Sequence, residues 1–158
     1  MNLTTILDFV TVFFAGLLAG VLFIIDYGVG PAVAAVVDEQ AQIQVRQALI
    51  QSLRVLVPAI FFVPTILSGF AITVLDGFDP GIAPRLVGLL AVLTSFLFTL
   101  IGTAPINATV LTWQPSEPPK NWRMLVGRWK QFDRARTWMA VTAFALFLTA
   151  TALKLTAH

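Results

Sequence analysis

Three stretches of this chain carry no Asp, Glu, Lys or Arg: Val55–Leu75, Leu86–Ser116 and Thr137–Leu153. A fourth, Phe9–Val37, is broken only by Asp26. About 20 helical residues cross the roughly 30 Å hydrocarbon layer of a bilayer, so each run is long enough to span. Charged residues make up only 11% of the chain, against roughly 25% for an average soluble domain. A transmembrane barrel would show short alternating segments instead of continuous apolar runs. The sequence therefore predicts an all-α integral membrane four-helix bundle. Its helices are expected at about 3–37, 41–75, 85–113 and 122–156, within a single domain covering residues 1–158.

Residue usage narrows the chemistry. The chain has no Cys, and its one His is His158. Disulfides, iron–sulfur clusters, thiolate metal sites and thiol nucleophiles are thereby removed. A haem or copper site would need His158 or a second protein. No metal site is expected. Met1–Asp8 lacks the Lys or Arg of a secretory n-region, so the first apolar segment reads as a retained helix.

Charge placement predicts the topology. With four crossings, the connections after the first and third helices share one side. They hold Arg46, Arg54, Lys120, Arg123, Arg128, Lys130, Arg134 and Arg136, leaving only Arg85 and Lys154 opposite. The positive-inside rule then puts those connections in the cytoplasm of an inner-membrane protein, with both termini outside. The same clustering could attract anionic lipid headgroups, and no nucleic-acid partner is inferred from it. From Asp38 to Arg54 the pattern stays helical. Ala41, Val45, Ala48, Leu49 and Leu53 form an apolar stripe, and Gln40, Gln44, Gln47, Gln51 and Arg54 a polar one. The bundle is thus expected to protrude on the cytoplasmic side.

Polar residues inside a membrane span are candidates for function, because burying them unpaired is costly. Asp26 lies 18 residues after Asp8, roughly 27 Å along a helix, which places it near the cytoplasmic boundary. It either pairs with a nearby Arg at the interface or faces into the bundle beside Tyr27. Pro31 is expected to kink the first helix. Pro105 frees a carbonyl one turn earlier, which Asn107 could satisfy, or Asn107 could instead meet a ligand. Trp122, Trp129, Asp133 and Arg136 share one helix face. They form either an interfacial anchor with a structural ion pair or a polar pocket roofed by aromatic rings. Gly16 and Gly20 are a small-residue pair suited to close helix approach.

The order of these features resembles a known group. Pro31 closes the first helix, and Gln47 lies in the extension before the second. Ala104-Pro105-Ile106-Asn107, Trp113, Arg128-Trp129, Arg136 and Ala143-Phe144-Ala145-Leu146-Phe147 follow. This looks like the anthrone-oxygenase-like family of small four-helix membrane proteins. The resemblance implies a cofactor-independent oxygenase acting on polyphenolic anthrones without bound metal or flavin. One position departs: the family commonly carries a His four residues after the Trp, and here it is Asp133. A carboxylate can serve as base or ion-pair partner but does not reproduce a neutral imidazole near pH 7.

Two readings follow. In the first, Asp26, Tyr27, Gln47, Asn107, Trp129, Asp133 and Arg136 line a pocket at the cytoplasmic helix ends. It would bind a lipophilic aromatic or quinone-like compound, with Asp133 as base and Arg136 stabilising the anion. In the second, the chain is a non-catalytic accessory or scaffold subunit, or a homo-oligomer. Phe13, Phe14, Phe61, Phe62, Phe96 and Phe98 would then face the partner.

Overall fold

A computed structural model describes residues 3–157; His158 lies outside them. Four long apolar helices dominate: α1 (Leu3–Ala34), α2 (Glu39–Asp76), α3 (Ile82–Leu111) and α4 (Trp122–Thr156). Each packs on its neighbours in ring order, α1 on α2, α2 on α3, α3 on α4 and α4 on α1. The result is an up-and-down membrane bundle.

Helix ends follow local chemistry. The first helix stops at Ala34 instead of Val37, and Asp38 then caps α2 by accepting a 2.9 Å bond from the Ala41 N–H. Capping by this carboxylate brings the start of α2 forward to Glu39. Gly77, at the end of α2, has φ +60°, a conformation that side-chain-bearing residues seldom adopt. Pro84 falls in the first turn of α3, where its missing N–H leaves no helix bond unmade. With 35 residues, α4 is about 52 Å long and outreaches the hydrocarbon layer.

Three of the helices contain one wide π turn: Ile25–Val29, Val57–Phe62 and Thr99–Thr103. Each closes with a five-residue bond, from Gly30 N to Ile25 O, Val63 N to Pro58 O and Ala104 N to Thr99 O. Pro31, Pro58, Pro64 and Pro105 stand in or just after them. Proline removes a four-residue bond and crowds the preceding turn, and an extra residue relieves both. The irregularity expected at Pro31 thus takes the form of a widened turn ahead of it.

Two apolar clusters hold the bundle. One includes Leu18, Leu22, Val57, Phe62, Val92, Ala143 and Phe147, and the other Ile43, Ile50, Ile106, Val110, Trp113 and Trp122. Three expectations need correction. Gly16 does meet the Phe144 ring, but Gly20 faces open space, and Ala15 and Ala19 are the buried small residues of α1. On α2 the buried stripe is Ile43, Arg46, Ile50 and Val57, while Val45 and Ala48 are exposed. The stripe turns inward at Arg46 because a cavity there receives its polar head. Finally, Phe62 is fully buried, with its ring tilted against that of Phe96 at 5.2 Å, so it offers no face to a partner.

Close approach at the π turn of α3 depends on Gly102. A Cβ there would lie 2.4 Å from the Phe132 ring of α4. Gly102→Ala is expected to destabilise the fold by about 1–3 kcal/mol, as overpacking does. Adding Phe132→Leu should restore most of the loss. Thermal unfolding in detergent measures both.

Candidate functional site

The π turns enclose a cavity of about 480 Å³ where the two apolar clusters meet, with Ile50 and Val57 both in its wall. All four helices line it. α1 gives Asp26, α2 gives Arg46, α3 gives Thr103 and Asn107, and α4 gives Trp129, Asp133 and Arg136. Pockets of roughly 300–1,000 Å³ are typical for small organic ligands.

Of the seven residues singled out from sequence, Asp26, Asn107, Trp129, Asp133 and Arg136 line this cavity, and Tyr27 and Gln47 do not. Tyr27 is 40% exposed on the outer surface of the bundle. Its ring stacks on Phe23, and its hydroxyl accepts a 3.0 Å bond from Trp138 Nε1. Neighbouring helical residues point about 100° apart, so burying Asp26 turns Tyr27 away. Gln47 instead ties α2 to the end of α3. Its amide donates to the carbonyls of Val110 (3.0 Å) and Trp113 (2.9 Å).

Asp133 and Arg136 form the expected pair, Oδ1 to Nε 3.0 Å, and Thr103 donates to the same oxygen at 3.3 Å. The Arg136 Nε–H is not aimed along that line, so the pair is electrostatic without a directed hydrogen bond. Ser95 fixes the backbone beneath by donating to the Arg136 carbonyl at 2.8 Å. Asp26 reconciles its two alternatives. It is buried in the bundle, yet its Oδ2 stands 3.9 Å from Nε of the half-exposed Arg134, with no hydrogen bond between them. Asn107 makes no side-chain hydrogen bond to the carbonyl freed by Pro105, and its Oδ1 is buried without a hydrogen-bond partner. Trp122 is buried in the apolar cluster of Ile43, Ile50 and Val110, not at the lipid surface.

Arg46 was not anticipated as a site residue. Sequence reasoning took it for a topological charge, although it falls on one face with Ile43, Ile50 and Val57. Its guanidinium carbon lies 5.8 Å from the centre of the Trp129 ring, within cation–π range. Among the described residues, five buried side-chain atoms have no hydrogen-bond partner: Asp26 Oδ2, Arg46 Nε, Asn107 Oδ1, Trp129 Nε1 and Arg136 Nε. All five belong to residues of this one cavity.

Fold and site together define a small polytopic four-helix membrane protein with a polar-rimmed, largely apolar cavity. A family model for anthrone oxygenase matches residues 47–146, and the chain belongs to that family. The matched span contains Asn107, Trp129, Asp133 and Arg136 and begins just after Arg46, leaving Asp26 and Arg46 outside it. Neither the curated proteins nor the solved structures contain a match to this chain.

Proposed function

We propose that the cavity binds a flat, lipophilic phenolic compound of the anthrone or quinone type, and that the chain oxidises an anthrone with molecular oxygen. The observation that carries this reading is that, among the described residues, all five buried side-chain atoms without a hydrogen bond belong to residues lining one apolar-walled cavity. Each buried donor or acceptor left unsatisfied costs about 1–3 kcal/mol. A polycyclic phenol offers both an apolar body and a rim of hydroxyl and carbonyl groups. Family membership favours the same substrate class.

The residues suit a carbanion route. A carboxylate takes a proton from the methylene carbon of the anthrone, and the negative charge moves onto the ketone oxygen. Arg46 and Arg136 stabilise that oxyanion. Molecular oxygen adds at the carbon by electron transfer and radical recombination, giving a peroxide that takes the proton back. Loss of water, with the second methylene proton, leaves the new carbonyl. One oxygen atom enters the quinone and the other leaves as water. Asp26, whose Oδ2 accepts no hydrogen bond and has only the distant Arg134 at 3.9 Å, is the freer base, whereas Asp133 is held by Arg136 at 3.0 Å and by Thr103.

The excess of Lys and Arg beside the cavity supports an orientation with this end in the cytoplasm of an inner-membrane protein and both termini outside. Binding of 1,8-dihydroxyanthraquinone to the purified protein in nanodiscs tests the reading. Arg46→Met should weaken binding about 10- to 100-fold, since a hydrogen bond to a charged group contributes about 1.5–3 kcal/mol. No binding to the wild-type protein, or equal binding by the variant, would refute it.

A further inference from the structure

The cavity wall is not equally closed on every side. At the level of the π turns, Val57–Phe62 packs on α1, and Ile25–Val29 and Thr99–Thr103 both pack on α4. Helices α2 and α3 meet in their outer halves and again at their inner tips. Between those meetings the seam is framed by two side-chain contacts. One is the Gln47 amide bonded to Val110 and Trp113, and the other is the Phe62–Phe96 ring pair. Along this seam Leu100, Ala104 and Ala108 are exposed on the outside of the bundle and also line the cavity. Their spacing of four puts them on one stripe of α3. Leu53 and Pro58 of α2 face the same cavity and are partly exposed. The α3 stripe belongs to the charge-free run Leu86–Ser116; Leu100 and Ala104 lie about 21 and 27 Å along the helix from Leu86, within reach of a roughly 30 Å hydrocarbon layer, and Ala108 at its edge.

We infer that the ligand reaches the cavity sideways from the bilayer, through a window between α2 and α3 whose threshold is Leu100, Ala104 and Ala108. The inference rests on the proposed binding of a lipophilic compound, which concentrates in the membrane. Small side chains at two of the three positions keep the gap open. Ala34, Arg54 and Lys130 are exposed at the charged end of the same cavity and make a second, polar mouth suited to water and protons.

The absence of Cys allows a test that needs no knowledge of the substrate. Thr99→Cys places a single thiol on the cavity wall, and the protein in liposomes is treated with membrane-soluble N-pyrenylmaleimide. Adding Ala104→Trp, or Ala108→Phe in case the first variant assembles poorly, should slow labelling about tenfold, a barrier change of about 1.4 kcal/mol. Ile101→Trp, exposed on the same helix but off the cavity, should leave the rate unchanged. Equal rates in all variants, no labelling, or equally fast labelling by a sulfonated, membrane-impermeant maleimide would overturn the window. Loss of anthraquinone binding alone would instead strike the proposed function.

Discussion

Arg85→Met should be among the most damaging single substitutions in this protein, although Arg85 is far from the cavity. Its guanidinium is 1% exposed and grips Asp79 through both oxygens, at 3.2 and 3.0 Å. It also reaches Asp8 and Asp76, each at 3.4 Å. Lys154 completes the group with bonds to Asp8 at 2.7 Å and to Asp76. One residue comes from each of α1, α2, α3 and α4, and Asp79 comes from the α2–α3 turn. Removing one partner of a buried ion pair strands the other charges and costs about 3–5 kcal/mol. Thermal unfolding in detergent should therefore show a large loss for Arg85→Met. Asp79→Asn should lose less, since Asp79 is the most exposed of the three carboxylates. Little effect from raised salt is expected on the wild type, because the charges are shielded from solution. An unchanged midpoint for Arg85→Met would mean that the cluster does not hold the helices together.

The second large effect concerns catalysis. On the proposed route, Asp26→Asn should lower anthrone turnover about 100-fold or more, the range typical of a lost general base. Quinone absorbance and oxygen uptake at saturating substrate measure it, with anthraquinone affinity as the accompanying control. Asp133→Asn should act differently. It frees Arg136 from its carboxylate, so weaker or altered binding is expected alongside a smaller loss of turnover. If Asp133→Asn alone abolishes turnover while Asp26→Asn is silent, the base has been assigned to the wrong carboxylate. If both variants turn over normally, the carbanion route fails.

Much of this architecture is written plainly in the chain. Charge-free runs fix four spans, since lipid requires backbone groups to be satisfied within each segment. Asn107, Trp129, Asp133 and Arg136 could be picked out because polar groups among apolar ones stand out. Tyr27 was drawn in by its neighbour Asp26 and Gln47 by the family resemblance; helical rotation sends the first outward while α3 claims the second. Arg46 escaped for the opposite reason, because a cation near an expected cytoplasmic turn has an ordinary explanation in topology. The ion cluster around Arg85 was legible in principle. Asp8, Asp76 and Asp79 all fall at the same ends of their runs as Arg85 and Lys154. Long-range pairing of that kind emerges only once the helices are arranged side by side. The π turns were hardest, since proline announces a disturbance without stating how the backbone absorbs it.

Those widened turns also govern phase. A regular helix advances about 100° per residue, so slipping in one extra residue swings everything beyond it by about that angle. The insertion at Thr99–Thr103 therefore sets the direction in which Ile106, Asn107 and Val110 point. Deleting a single residue there would turn the Asn107 amide out of the interior without altering its identity. Orientation in this small protein is thus encoded by counting as much as by chemistry.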